Sequence, residues 1–264
     1  QVLLKTHLKN RIKYVTLELT NYWIVRIFLL FLILVITPNY LIGQDITGQQ
    51  LLEKTINYHD PSGNWSSFSS DFIVTMTTPN QSPRVSDIKI SLPDEFFSVT
   101  ANKDGSTQTY TVDKSNCSLF YNTIKLNEAA AKEKKMTCER ANMYKNYYTY
   151  LYGLPMKLKD KGTNIDPKVE RKTFKGKDYL VLKASYDKAV GSDVWYFYFD
   201  PKTYAMEVYQ FYKTDDKGNL KPDSGEYIVL TEEETVNGIK MPKIRAWYYN
   251  KDDKYLGTDS LKKQ

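Results

Sequence analysis

The chain has 264 residues, of which 41% are hydrophobic, 26% charged and 14% aromatic, and its formal net charge is +6. These fractions exclude a fibrous or wholly disordered chain. Residues 1–44 carry a net charge of +4, which leaves only +2 on residues 45–264. So small a charge argues against a nucleic-acid binder, which needs a concentrated basic face.

The N-terminal segment has the pattern of a secretory signal peptide. Basic residues precede an unbroken apolar run, Ile27 to Ile36, which as a helix rises about 15 Å, half of a bilayer core. Pro38 breaks the run. We predict a cleaved signal peptide over residues 1–44, part of it extra translated sequence, with an uncleaved anchor as the alternative. Residues 45–264 are then expected to form one exported domain, periplasmic or associated with the outer membrane.

The two cysteines are predicted to form a disulfide. Cys117 and Cys138 are the only cysteines, and neither belongs to a Cys-x-x-Cys motif. Only one histidine, His59, lies in the exported part, so Cys and His alone cannot assemble a tetrahedral zinc site. No metal site and no cofactor are predicted. In an oxidising compartment the isolated pair is read as a disulfide, and two buried free thiols are the alternative.

Hydrophobic periodicity predicts helices and about ten strands. Residues 46–59 have helical spacing, with Thr47 as a candidate N-cap. Two further helices are predicted over Leu126–Lys135 and Cys138–Tyr152. Asp104-Gly105 is the preferred two-residue hairpin signal. The predicted strands are 72–77, 85–92, 96–101, 107–112, 117–121, 179–186, 194–199, 206–212, 227–233 and 239–249.

Aromatic residues cluster on the helix at 138–152 and on the strand at 194–199. The helix carries two adjacent rows at i, i+4 spacing, namely Met143, Tyr147, Leu151 and Tyr144, Tyr148, Tyr152. The strand has Trp195, Phe197 and Phe199 on one face, and Val194, Tyr196 and Tyr198 on the other. A strand apolar on both faces indicates a sheet covered on both sides. We therefore predict an α+β fold in which a curled antiparallel sheet, an incomplete β-barrel, wraps around helices.

Two sets of segments resemble known families. The helix, the turn and then "SSFSSDFIVTM", "RVSDIKISLPDEFFSV" and "STQTYTVDKSNCSLFYN" are similar to the opening of the LolA/LolB-like periplasmic lipoprotein carriers. That resemblance implies an unclosed antiparallel barrel around helices, with an apolar cavity for acyl chains. "YHDPSGNW", "YLYGLPMKL", "SDVWYFYFDPKTYAMEVYQFYKTD" and "NGIKMPKIRAWYYNKDDKYLGTD" look like an uncharacterised family of exported Bacteroidota proteins, a domain of unknown function, over residues 46–262.

Catalytic residue patterns are weak in this sequence. His59 could serve as a general base, but an isolated histidine at a helix end more often caps or packs. Glu232, Glu233 and Glu234 fit a solvated strand edge better than a pair of glycosidase carboxylates. We predict a protein that is not an enzyme. An envelope hydrolase using His59 or carboxylates is the alternative.

The aromatic side chains are the strongest functional signal. The candidate ligand-binding residues are Tyr144, Tyr147, Tyr148, Trp195, Phe197 and Trp247. Aromatic walls with a few polar groups suit a hydrophobic ligand, a lipid or a lipidated partner, and allow peripheral membrane contact. The same rings could instead fill the core. A structural envelope protein that binds a protein or a glycan is a further alternative.

Overall fold

The computed structural model describes residues 46–264, so the predicted signal peptide over 1–44 lies outside the described residues. The first helix, α1, spans Gly48–His59. The Thr47 hydroxyl accepts a hydrogen bond from the Gln50 backbone N–H, and the Gln50 side chain accepts one from the Thr47 N–H. This reciprocal capping box confirms the predicted N-cap.

Two more helices follow within the described residues, α2 over Glu128–Glu133 and α3 over Cys138–Gly153. Helix α2 is shorter than predicted because Leu126 donates its backbone N–H to Leu119 and so still belongs to the preceding hairpin. Short 3₁₀ turns cover Asn64–Ser67 and Met156–Lys159. Within residues 46–264, no helix reaches the length and hydropathy that a membrane crossing requires.

The described strands form one antiparallel sheet of 14 strands, so the prediction of about ten is wrong. The additional strands are β6, β7, β8 and β14, which are short or carry charged and glycine residues that mask the alternation. The bounds are β1 Ser69–Thr77, β2 Arg84–Ser91, β3 Phe96–Lys103, β4 Ser106–Asp113, β5 Asn116–Tyr121, β6 Ile124–Lys125, β7 Thr163–Ile165, β8 Glu170–Phe174, β9 Lys177–Tyr186, β10 Val194–Phe199, β11 Met206–Tyr212, β12 Glu226–Val236, β13 Ile239–Tyr249 and β14 Tyr255–Lys263.

The sheet consists of two meanders joined by their outer strands. The order is β6-β5-β4-β3-β2-β1-β14-β13-β12-β11-β10-β9-β7, with β8 paired to β9 as well. The hairpin between β3 and β4 turns at Asp104 and Gly105, both with positive φ, and pairs Lys103 with Ser106. This geometry confirms the predicted two-residue turn. The segment containing α2 and α3 connects the first meander, β1–β6, to the second, β7–β14.

Helix α3 contacts both meanders, and the sheet therefore curls around it. On one side Tyr144 lies 5.1 Å from Tyr110 in β4, Tyr148 6.2 Å from Phe97 in β3, and Tyr152 4.8 Å from Phe72 in β1, measured between ring centroids. On the other side Tyr147 lies 6.5 Å from Trp247 in β13, and Tyr150 lies 5.7 Å from Trp195 in β10. The sheet ends at β6 and β7, which do not pair. The predicted class, an unclosed antiparallel sheet around a helix, is confirmed.

The convex face of the second meander has a smaller apolar cluster of its own. Tyr179, Val181, Tyr198 and Val208 are buried there, with Phe174 of β8 and Tyr196 packed against them. The Tyr198 hydroxyl donates to Gln210 Oε1 at 2.6 Å. The predicted covering of both faces of strand β10 is thus confirmed.

Each end of α3 is fastened to a different meander. Cys138, its first residue, forms the predicted disulfide with Cys117 in β5, and no free cysteine occurs among the described residues. Near the other end, Arg245 of β13 donates from Nη2 to the Leu151 carbonyl at 3.5 Å and from Nη1 to the Pro242 carbonyl at 2.8 Å. The helix is therefore held across the opening of the curled sheet.

Replacing both cysteines by serine is expected to lower the free energy of unfolding by about 3 kcal/mol, because the bridge closes a loop of roughly 20 residues. Urea unfolding of the oxidised protein and the double variant measures the difference. Reductant should shift the wild type to the midpoint of the variant and leave the variant unchanged. An unfolding midpoint insensitive to reductant in the wild type would contradict the structural role of the bridge.

Candidate functional site

A cavity of about 540 Å³ opens between α3 and strands β7, β9 and β10. Its aromatic wall consists of Tyr150, Tyr186 and Trp195, and the Tyr150 and Tyr186 hydroxyls share a hydrogen bond. Polar side chains of α3, among them Asn146 and Thr149, line the same cavity. We call this space the larger cavity.

A second space, the smaller cavity, has a volume of about 300 Å³ and lies between α3 and strands β1, β12, β13 and β14. Tyr147 and Trp247 form its aromatic wall, with their rings inclined by only 20°. Tyr147 remains 39% exposed because it faces this opening. The carboxylates of Glu226 and Asp259 complete the polar part of the lining.

Buried rings fill the centre between the two cavities. Tyr209 is fully buried and lies 6.0 Å from Trp195 and 6.3 Å from Trp247. Strand register explains this placement, since Trp247, Ile228, Tyr209 and Phe197 are successive partners across β13, β12, β11 and β10. The space under α3 is therefore packed in the middle and open on two sides.

The six predicted ligand-binding residues fall into two groups. Tyr147 and Trp247 line the smaller cavity and Trp195 lines the larger one. The others, Tyr144, Tyr148 and Phe197, belong to the packed core and line neither cavity.

Two lining residues, Tyr150 and Asp259, and the nearby Arg245 were missing from the sequence prediction. Tyr150 falls outside the two helical rows that the sequence emphasised, yet it reaches Trp195. Asp259 has the strand parity of buried Leu261, and Arg245 has that of buried Met241. Asp259 and Arg245 could have been noticed as charged residues at positions that the strand alternation assigns to the buried face.

Three charged residues and one methionine form a row across the concave face at one level of the sheet. Arg245, Asp259, Met76 and Arg84 are successive register partners across β13, β14, β1 and β2. Arg245 is fully buried, with its guanidinium 4.0 Å from the centroid of the Tyr152 ring. Arg84 donates to the Tyr148 hydroxyl at 3.4 Å. Both arginines thus contact tyrosines of α3.

Several polar atoms of this region have no hydrogen-bond partner among the described residues. They are Nε of Arg84, Nε of Arg245 and the hydroxyls of Tyr152 and Tyr209. Burial raises the pKa of Asp259, against the lowering effect of Arg245 and Arg84. Burial also raises the pKa of Glu226, with Lys213 acting in the opposite direction. Such orphaned groups mark a polar site within an otherwise apolar core.

His59 has a structural role in the described fold. It is 1% exposed, with Nδ1 2.7 Å from the Lys240 carbonyl and Nε2 accepting the Met206 backbone N–H at 2.9 Å. These contacts define a neutral ring with its proton on Nδ1. Burial lowers the pKa of His59 below its ordinary value of 6.5. Both nitrogens are engaged, so neither is available as a general base.

Each carboxylate beside His59 has an ion-pair or hydrogen-bond partner. A cavity of about 450 Å³ there is lined by Asp200, Glu207, Glu232 and Glu233. Lys177 bridges Asp200 and Glu207, Lys243 lies 2.6 Å from Glu232, and Tyr58 donates to Glu233 at 2.8 Å. Among residues 46–264 no group of three or more His, Cys, Asp or Glu is placed to hold a metal ion.

The architecture is an open antiparallel half-barrel with two aromatic-walled cavities beside its central helix. The chain belongs to the family of unknown function DUF6503, which matches residues 25–264. This confirms the predicted membership of a family of unknown function, whereas Bacteroidota origin and export stay predictions. No curated protein matches the chain.

Solved structures to which the chain is similar include a LolA superfamily protein from Nitrosomonas europaea, at 14% identity and a TM-score of 0.48, covering 82% of this chain and 92% of that chain. A DUF1329 family protein from Desulfovibrio piger is similar at 8% identity and a TM-score of 0.46, with 83% and 92% covered. MucB in complex with MucA is similar at 7% identity and a TM-score of 0.23, with 81% and 92% covered.

Arg245→Ala is expected to lower the free energy of unfolding by about 3–5 kcal/mol, because it leaves a cavity, frees the buried Leu151 and Pro242 carbonyls and removes a positive charge that favours the ionised form of Asp259. Urea unfolding measures the loss. The adjacent Lys243→Ala, which removes an exposed ion pair with Glu232, should cost no more than about 1 kcal/mol. Equal losses in the two variants would contradict the anchoring role of Arg245.

The lowered pKa of His59 predicts a pH dependence of stability. The unfolded chain takes up a proton near pH 6.5 and the folded chain only at lower pH, so the contribution of His59 is complete above 6.5 and is lost as the pH falls below it. The loss approaches about 1.4 kcal/mol per pH unit. His59→Gln should unfold with a shallower dependence between pH 7.5 and 5.5 than the wild type. Parallel curves for the two proteins would contradict this.

Proposed function

We propose that this protein binds an amphiphilic molecule, placing apolar portions of the ligand in the two cavities beside α3, and that it is not an enzyme. The observation that carries the proposal is the aromatic wall that remains accessible inside the curled sheet, formed by Tyr147 and Trp247 on one side and by Tyr150 and Trp195 on the other. Tyr144, Tyr148 and Phe197 support this wall from the core.

Cavity size supports a small ligand or an alkyl chain. Volumes of about 540 and 300 Å³ fall within the range of roughly 300–1,000 Å³ typical of ligand sites. Each buried methylene group would contribute about 0.8 kcal/mol of transfer free energy. Six or seven methylene groups in the larger cavity would contribute about 5 kcal/mol, which is less than the roughly 8 kcal/mol of micromolar binding, so contacts to a polar group of the ligand must supply the rest.

The wall chemistry supports an amphiphile over a purely apolar compound. Tyrosine and tryptophan present an apolar ring with one polar end. At the larger cavity these rings adjoin Asn146, Lys145 and Asp193. A ligand with an apolar body and a polar group matches both parts of this lining.

His59 supports the non-enzymatic part of the proposal. It is the only histidine among the described residues, and both of its nitrogens serve backbone groups. We also propose that residues 45–264 act as one exported domain after removal of residues 1–44, in the periplasm or at the outer membrane. The disulfide between α3 and β5 supports an oxidising compartment.

The test uses an uncharged fluorescent probe, N-phenyl-1-naphthylamine, titrated into the full chain. Binding should increase the probe fluorescence saturably. Asn146→Trp should weaken binding about tenfold, because the indole would occupy the larger cavity. Asn142→Trp, one turn earlier on α3 and exposed outside both cavities, should bind as the wild type does.

Circular dichroism of both variants checks that the fold is retained. Absence of saturable probe binding by the wild type would overturn the proposal. So would equal binding by the two tryptophan variants.

A further inference from the structure

The smaller cavity combines aromatic rings with two carboxylates and has no basic side chain in its lining. Tyr147 and Trp247 supply the rings, and Glu226 and Asp259 supply the carboxylates. Electron-rich ring faces together with anionic oxygens are the chemistry that attracts an ammonium group. The larger cavity differs, because Lys145 and Lys157 contribute to its lining.

Asp259 lacks the ion pair that a buried carboxylate normally has. It is 6% exposed, and it borders the smaller cavity. Among residues 46–264 no cationic side chain lies within 4.0 Å of its oxygens, although Arg245 is its register partner on β13. A buried charge without a close partner is costly unless a ligand or water completes it.

The two nearby arginines make their close contacts with groups other than Asp259. The Arg245 guanidinium donates to the Pro242 and Leu151 carbonyls and stacks on Tyr152. Arg84 donates to the Tyr148 hydroxyl. Neither arginine lines the smaller cavity. Their positive charges favour the ionised form of Asp259, which itself lines the cavity.

Glu226 lies on the opposite side of the aromatic wall. It is half-buried at the start of β12, and its side chain lies on the same face of the strand as that of Ile228, the register partner of Trp247. Burial raises the pKa of Glu226, and the exposed Lys213 acts in the opposite direction. The cavity therefore has anionic oxygens from two strands on either side of Trp247.

We propose that the smaller cavity binds an ammonium group, with Trp247 and Tyr147 facing the cation and Asp259 and Glu226 balancing its charge. This inference rests on the proposed function and specifies it: the amphiphile carries a cationic head, which the smaller cavity receives. A volume of about 300 Å³ holds a primary or quaternary ammonium with its first methylene groups.

The test compares three probes with one tail, octyltrimethylammonium, octyl glucoside and octyl sulfate, below their micellar concentrations, by isothermal titration calorimetry on the full chain. The ammonium compound should bind about tenfold more tightly than the other two. Asp259→Asn and Glu226→Gln should each remove most of that preference. Their binding of octyl glucoside should stay within about twofold of the wild type.

Two further comparisons serve as controls. One tests whether loss of any exposed carboxylate changes the preference, and the other tests whether the aromatic ring is required. Asp113→Asn removes an exposed carboxylate at the end of β4 and should leave the preference unchanged. Trp247→Phe should retain more of the preference than Trp247→Leu, because only the former keeps a ring face. Phenylnaphthylamine binding of each variant reports whether the fold and the cavities persist.

The outcomes are distinct. The ammonium site is overturned if octyl sulfate binds as tightly as the ammonium compound or more tightly, or if Asp259→Asn keeps the ammonium preference. In either case the proposed function still stands if the wild type binds the uncharged naphthylamine. Loss of all binding, including that of the uncharged naphthylamine by the wild type, overturns both.

Discussion

The whole arrangement depends on one helix that is fastened to both halves of an open sheet. The Cys117–Cys138 bridge fixes the start of α3 to β5, and Arg245 of β13 holds the carbonyl of Leu151 near its end. A sheet of 14 strands that does not close has a concave apolar face to cover. Since α3 is the element that bridges the two meanders, its position sets the width of the space on either side of it.

Large side chains divide that space into a packed centre and two open sides. Buried Tyr209 and Phe197 pack the centre beneath α3, whereas Tyr147 and Trp195 border openings. Rings that pack in the core and rings that line a cavity therefore alternate over the same surface. The same kind of side chain supports the helix and lines the cavities, because a ring that packs on one face can present its other face or edge to an opening.

The elements with strong local signals could be predicted from the sequence, and those determined by long-range pairing could not. The Thr47 cap, the Asp104-Gly105 turn and the Cys117–Cys138 pair each follow from residues close in sequence or from elimination. Strand β14 was missed because Gly257 and Asp259 interrupt its apolar face. The division of rings between core and cavity depends on register across β10–β13, which periodicity alone does not contain. The sequence indicates Arg245 and Asp259 only as charged residues at positions where the strand alternation predicts apolar ones.

The pairing of β1 with β14 joins segments that are distant in sequence at the middle of the sheet, as in Phe72 opposite Lys263, which are about 190 residues apart. During synthesis the first meander can form its hairpins early, but its β1 edge stays open until residues 255–263 have emerged. Strand β14 therefore completes the sheet by pairing with both β1 and β13. Until it arrives, the chain exposes a long unpaired strand and an uncovered apolar surface, which are the features that recruit chaperones and promote misassembly.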